Sequence, residues 1–464
     1  MQIMISPFSK QKPEIGHVVT SVLENGMTYY VQAHTQPNSG IVFALAVKAG
    51  SVLEDEHEKG AAHFVEHMCL ADTHYLSKQE IGSIYKLYNI NCKAYTNYEE
   101  TVYMLQSPCN DVEAIEKCIM TLSGIACEVA FNCDRIEEVR EDVLKEWSFT
   151  QNTQKAYNRN HTLQILLNES RYIYHLPIGI PEQIREFSRE TLIKFYKTWY
   201  RPELIALIAV GDFDVKLVEE TIYRYFHSTP NYKVPPRVIY SIPDHVQPRF
   251  TVNRVSQRED TEVNIYLRHS FHPLSAPKLK LMDQLSFNIL MKRIECQKKK
   301  HNKLWNNILW ATERFLIGYE FIVLSVKLQN KYLISDLTEC LYVFDHISKQ
   351  NFSDTEVSFE RMGFKKDLEQ NYQLYASIPS KILVKEYINN FIYDEPLMTM
   401  ENEYEVVNNL LASITPKELY DHLHQRLNTV NNTLIVNSPI LDERITTNAI
   451  NEYSESLNKY MYWQ

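Results

Sequence analysis

Residues 48–70 read KAGSVLEDEHEKGAAHFVEHMCL, and within them His63-Phe64-Val65-Glu66-His67 sets the rest of the chain in order. On a helix, at about 100° per residue, His63, Glu66 and His67 project from one sector of about 100°. Two imidazoles one turn apart can grip a single metal ion, and the carboxylate beside them can reach a water on that ion. The flanks suit a helix start. Gly60, Ala61 and Ala62 are small, and Glu54, Asp55, Glu56 and Glu58 precede them, where negative charge complements the helix dipole. With 16 histidines in the chain, two of them four apart would mean little alone. Glu66 between them, set among apolar Phe64, Val65, Met68 and Leu70, points to a metal site. His57 and His74 read as surface histidines, and Cys69, aimed away from the metal-binding sector, as packing.

Working outward, Val18 to His34 reads as two extended pieces around Asn25-Gly26, a hairpin signal. Ile41 to Ala49 is apolar and β-rich, which suits a buried central strand. Helical patterning covers about 59–70 and 78–87, and Cys92 to Ser107, dense in Tyr, Thr and Val, returns to strand. Helices are expected over 111–128, 133–149, 189–200 and 214–225, with a strand over 204–211. Pro230, Pro235, Pro236, Pro243 and Pro248 then crowd together and mark a linker. Beyond it the order recurs in outline: strand 263–268, helix 277–298, strands 317–328, helices 333–348 and 354–373. The expected division is a metal-binding domain over 1–230, a Pro-rich linker over 231–248, and a second domain of similar mixed build over 249–464.

The chain has 464 residues, long for one hydrophobic core, and its net charge of -10 argues against general nucleic-acid binding. Eleven glycines and no G-x-x-x-x-G-K or G-x-G-x-x-G run leave little room for a nucleotide enzyme. Eight cysteines without a C-x-x-C pair read as reduced, buried thiols. The basic run Arg293 to Lys303 lacks interleaved aromatics and reads as a solvated helix end. Met1 to Gly16 has no apolar core, and no stretch approaches the ~20 apolar residues that cross a bilayer. A cytoplasmic protein without a membrane partner is the expectation.

A metal-dependent hydrolase needs a third protein ligand. The helix over 133–149 has an apolar face of Ile136, Val139, Val143, Leu144 and Trp147, with Glu146 at one edge and Glu137 at the other. Helical geometry leaves both open. His63-x-x-Glu66-His67 has the H-x-x-E-H pattern of inverted zincins. Together with LENGMTYYVQ (23–32), KAYTNYEETVYMLQSP (93–108), EEVREDVLKEW (137–147), HLPIGIPEQI (175–184) and FYKTWYRPELIALIAVGDFD (195–214), it makes the first half resemble the pitrilysin/insulysin group of zinc endopeptidases. FNILMKRIE (287–295) resembles a helix of the next domain in bacterial members.

That resemblance implies an α+β fold of two similar roll domains, each a mainly antiparallel sheet covered by helices, enclosing a chamber. It implies one zinc ion per chain held by His63, His67 and Glu146, the last through the Val143-Leu144-Lys145-Glu146 ending of the ligand helix. Glu66 would be the general base of an endopeptidase acting on peptides or small unfolded segments. The alternative is a catalytically inactive or partner-dependent subunit of a peptidase complex. Lys93, Ala94, Tyr95, Thr96 and Asn97 would receive substrate along an edge strand running from Lys93 to Tyr103. Val139 stands where the family often has Glu, and Lys93 where it has Asn. The family's second domain often supplies an Arg and, seven residues on, a Tyr. Arg293 fits the first position, but Lys300 stands at the second, with Tyr319 the nearest tyrosine. A homodimer or a heterodimer with a related subunit is therefore expected.

Overall fold

The computed structural model describes residues 18–439, apart from 36–39, 109, 152, 231–235, 256–258, 274–275, 301–305, 330–332, 375–376 and 399. Cys109, the start of the Pro-rich segment and residues 301–303 of the basic run therefore lie outside the described residues.

The first half is built on a six-stranded sheet. Its strands are β1 (Val19–Val22), β2 (Thr28–Ala33), β3 (Ile41–Val47), β4 (Asn91–Thr96), β5 (Thr101–Ser107) and β6 (Ile205–Gly211). The spatial order is β1-β2-β6-β3-β5-β4, antiparallel except for the parallel pair β2 and β6. Helices α1 (Ala61–Cys69), α2 (Lys78–Leu87), α3 (Val112–Cys127), α4 (Cys133–Gln151), α5 (Gln154–Leu166), α6 (Arg171–Tyr174), α7 (Pro181–Glu186), α8 (Arg189–Trp199) and α9 (Val215–Phe226) accompany it. The continuous apolar run of β3 is explained by burial on both faces. Ile41, Phe43, Leu45 and Val47 enter the main core with Phe64, Ile119, Val143 and Phe195, while Val42, Ala44 and Ala46 join a separate cluster on the other face.

The second half follows the same plan. Strands β7 (Arg249–Arg254), β8 (Thr261–Ser270), β9 (Asn306–Leu316), β10 (Tyr319–Leu328) and β11 (Asn432–Ser438) lie in the order β7-β11-β8-β10-β9, with β7 and β11 the parallel pair. Helices α10 (Ala276–Lys300), α11 (Leu333–Ser348), α12 (Asp354–Leu374), α13 (Ser380–Tyr393), α14 (Met400–Ser413) and α15 (Pro416–Leu427) complete it. Matched strand for strand, the second sheet repeats β2-β6-β3-β5-β4 of the first, including which pair is parallel. The fold is thus mixed α+β with two sheets of one topology. No helix among the described residues is long and apolar enough to cross a membrane.

Two features tie the halves together. Helix α13 leaves its own sheet and lays Leu383, Val384, Tyr387, Ile388, Phe391 and Ile392 against Tyr30, Val42, Ala44, Val102, Ala206 and Ile208 of the first. At ~1.5–3 kcal/mol per buried side chain, that contact contributes on the order of 10 kcal/mol before ordering costs. The Pro-rich segment has no helix or strand over 236–248, yet it is fastened along its length. Arg237 pairs with the buried Glu99 at 2.7 Å, Ile242 N–H donates to Tyr319 Oη at 2.9 Å, and His245 N–H to Asn431 Oδ1 at 2.8 Å.

Cys92 to Ser107 is a hairpin of two strands turning at 97–100, so the edge expected from Lys93 to Tyr103 is β4 alone; β5 lies inside the sheet. The cysteines among the described residues are free thiols.

Candidate metal centre

The site begins at the N-terminus of α1. The first amides of a helix lack intrahelical partners. Here Glu54, fully buried, supplies them: its carboxylate accepts from Gly60 N–H at 2.9 Å and Ala62 N–H at 2.8 Å. Burial pushes the Glu54 carboxyl up to about 8 against the pull of those two amides. Gly60 has φ of 107°, and a Cβ there would lie 3.1 Å from Gly179 Cα, so glycine is needed both for the turn and for the approach of the 175–180 loop.

From that anchored start, α1 buries Ala61, Ala62, Phe64, Val65 and Met68 and presents His63, Glu66 and His67 on its remaining sector. Helix α4 packs across it through Ile136, Val139 and Val143. Arg135 pairs with Asp72 at 3.0 Å, Arg140 donates to the carbonyls of Ile184 and Phe187, and the Arg140 guanidinium lies 5.6 Å from the Phe64 ring centre. One turn beyond Val143, Glu146 arrives opposite the two histidines.

His63 Nε2 and His67 Nε2 are 3.2 Å apart, and Glu146 Oε2 lies 3.7 Å from the first and 3.5 Å from the second. Ligands about 2.1 Å from a tetrahedral zinc lie about 3.4 Å from one another, so the three atoms have the spacing of a zinc ligand set. With both histidines neutral and their Nε2 lone pairs turned inward, a cation would draw these three atoms together. Among the described residues, this is the group of His, Cys, Asp and Glu side chains close enough to hold a metal ion. The other edge acid, Glu137, is exposed and bonded to Arg140 at 3.1 Å.

The electrostatics follow from burial and from the cluster itself. Burial, and then the neighbouring His67, draw His63 down to about 4, which keeps it neutral with a lone pair available. Burial would also lower His67, but its contact with Glu146 and the charges of Glu66 and Glu146 raise it. Glu146 is held below the ordinary carboxylate range by His67. Glu66 is raised, mainly by burial, although Thr96 Oγ1 donates to its Oε2 at 2.7 Å.

The cluster forms one wall of a cavity of about 570 Å³. Ala94, Tyr95, Thr96, Asn97 and Tyr98 line a second wall, and Thr150, Gln151, Arg159, Asn160 and Leu163 from α4 and α5 a third, with Leu176, Pro177 and Ile178 beside them. Strand β4 pairs only with β5 among the described residues, so its other edge is free.

Two expected substrate contacts do not line this cavity. Lys93 is exposed on β4 outside it. Arg293 lies in a different cavity, where Glu356 grips its guanidinium at 2.7 and 2.8 Å and the carbonyls of Gln350 and Asn351 accept from it at 2.8 Å. Four of its five N–H donors are engaged within its own half of the chain. Tyr319, the nearest tyrosine, is engaged with Ile242 of the Pro-rich segment. Conversely, the α5 residues were missed because that helix has no clear apolar stripe to reveal it. The Thr96–Glu66 bond crosses 30 positions and has no local signal.

Residues 29–176 match the profile of the insulinase family (peptidase family M16), and residues 186–288 match the profile described as the peptidase M16 inactive domain. A zinc protease PQQL-like protein from Arabidopsis thaliana is 27% identical over 403 residues, which is 86% of this chain and 39% of that protein. Among solved structures, the periplasmic protease PqqL from Escherichia coli shares the fold with a TM-score of 0.86 at 19% identity, over 98% of this chain and 51% of that one. The first half of the same protease, solved alone, gives a TM-score of 0.85 at 19% identity, over 96% and 97% of the two chains. The chain thus spans about half the length of the curated relatives it matches.

Proposed function

The chain belongs to the insulinase family of peptidases, M16, and from that premise we propose that it is a zinc-dependent endopeptidase acting on peptides or short unfolded segments. The observation that carries this reading is the approach of His63, His67 and Glu146 to within 3.2–3.7 Å of one another, with Glu66 on the same helix face. Zinc held by those three side chains would supply a Lewis acid for a water and for the scissile carbonyl.

The protein's own groups do the rest. Thr96 fixes one oxygen of Glu66, leaving the other to accept the proton of the attacking water and to return it to the departing amine nitrogen. Burial raises Glu66 above an ordinary carboxylate, which makes it a better base near neutral pH. Substrate adds to the free edge of β4 beside Ala94–Asn97, where main-chain hydrogen bonds bind without demanding a sequence.

Metal analysis of the purified protein, followed by cleavage of a mixed peptide pool, tests the reading. One zinc per chain with internal peptide bonds cut is the expected result. Zinc without cleavage identifies a non-hydrolytic subunit instead, and no zinc removes the mechanism altogether. The chamber is completed by a second unit, a copy of this chain or a related subunit. Light scattering of active protein decides that point: a monomer of the 54.6 kDa chain mass with full activity would sink it.

A further inference from the structure

The part of the cavity lined by α4 and α5 carries chemistry that the hydrolytic mechanism does not use. Arg159 is the single lysine or arginine among the lining residues, and no carboxylate pairs with it among the described residues. Of the two acids that line the cavity, Glu146 belongs to the metal cluster and Glu66 accepts from Thr96 Oγ1 beside it. Beside Arg159, Asn160 Nδ2 donates to Gln151 Oε1 at 2.9 Å, which leaves Gln151 Nε2 and Asn160 Oδ1 buried without partners. Turning both amides over changes nothing: one N–H group and one carbonyl still remain unused. Buried polar groups are nearly always satisfied, so an adjacent donor and acceptor left open in a cavity wall point to a ligand that brings one of each. A peptide unit does so.

The wall is also rigidly placed. On either side of Arg159 and Asn160, α5 is tied to strand β7 of the second sheet. Asn158 Nδ2 donates to the Arg254 carbonyl at 3.2 Å, and His161 Nδ1 meets Asn253 Oδ1 at 2.8 Å. Leu163, Leu176, Pro177 and Ile178 surround the cavity with apolar surface, which strengthens a charge pair formed inside it.

We infer that Arg159 and the Gln151–Asn160 pair form a carboxylate-reading subsite, which makes this chain select peptides with an acidic group close to the scissile bond. The amide pair holds the peptide backbone and Arg159 holds the carboxylate. The inference rests on the peptidase reading. With a net charge of -10, the chain repels anionic peptides at long range, so the selection acts in the bound complex rather than in the encounter.

The test uses two matched peptide pairs. One pair differs by Glu against Gln near the cleaved bond, and the other by a free against an amidated C-terminus. The parent protein is expected to favour the acidic member of at least one pair by about fivefold or more in kcat/KM. Preference in the first pair identifies a side-chain carboxylate as the group read, and preference in the second a terminal one. In Arg159→Ala the ratio falls to about one, and in Arg159→Glu a Lys-containing peptide overtakes the Glu peptide. Gln151→Leu weakens binding of every peptide but leaves the Glu/Gln ratio intact. Equal rates within both pairs for the parent, or a ratio that survives in Arg159→Ala, overturn the subsite. Fluorescence anisotropy with labelled peptides and the Glu66→Gln protein reads the same preference as binding, with turnover slowed ~10²-fold. An absence of cleavage by the parent therefore counts against the peptidase reading alone, and equal binding within both pairs against the subsite alone.

Discussion

Both halves of the molecule bury histidine, acid and base around the same five-strand plan, and they use them in opposite ways. In the second half, Asp283 receives His422 Nε2 at 2.7 Å and Arg426 at 2.9 and 2.8 Å, and Arg426 also bonds Glu320, which pairs with Arg314 at 3.2 Å. Every charge has an answer inside the protein. Burial alone would raise Asp283, but His422 and Arg426 outweigh it and hold the carboxyl below its usual range. In the first half, the Glu146 carboxylate faces two imidazoles at 3.5–3.7 Å, and the two ring nitrogens stand 3.2 Å apart. Helix α10 follows β8 as α1 follows β3, so one of two corresponding helices carries Asp283 of the closed network and the other carries His63, Glu66 and His67. Topology gives the position, and the state of satisfaction distinguishes scaffold from site.

That contrast can be broken by substitution. Asp283→Ala leaves His422 and Arg426 buried with a partner removed, and is expected to cost about 3 kcal/mol of stability by chemical denaturation while zinc content stays parental. Because Asp283 is depressed in the folded state, its contribution is present above the ordinary value of 3.8 and is lost as pH falls below it. Glu146→Ala should do the reverse: zinc affinity falls more than ~100-fold, beyond the usual cost of an outer-shell change, with little loss of stability in the metal-free protein. Glu137→Ala should keep its metal, and equal loss in both variants would reopen the ligand assignment. Glu66→Gln should retain zinc and lower turnover by ~10²-fold. Parental turnover in that variant removes Glu66 as the base. The smallest effect is expected from Thr96→Val. Removing a bond that lowers Glu66 should move the acid limb of the kcat/KM profile to higher pH, and a limb that stays put means Thr96 does not tune the base.

Much of the first half could be read from the chain because its signals are local. The apolar run of β3, the H-x-x-E-H sector of α1 and the Asp111 and Asp214 caps that start α3 and α9 each lie within a few residues. The second half gave weaker signals. β7 begins directly after Pro248, and β9 mixes Asn306, Glu313 and Arg314 into its apolar residues, so neither shows a clean alternation. The choice of Glu146 over Glu137 was not legible from helical geometry, since both border the apolar face. The packing of α4 turns Glu137 toward Arg140 and brings Glu146 to the two histidines. The Arg293 expectation rested on local similarity, which carries no information about Glu356, the acid that holds it 63 residues away.

The strap formed by α13 bears on how the protein is made. The outer face of the first sheet is complete once Gly211 has been synthesised, but its cover begins at Ser380. At the ~5–20 residues per second of translation, the intervening stretch delays that cover by on the order of 10 s. During that interval Tyr30, Val42, Ala44, Ala46, Val102, Ala206, Ile208 and Val210 form an open apolar surface on a nascent chain. The outer face of the first sheet is therefore covered late, at a time set by where α13 sits in the chain rather than by the sheet's own sequence.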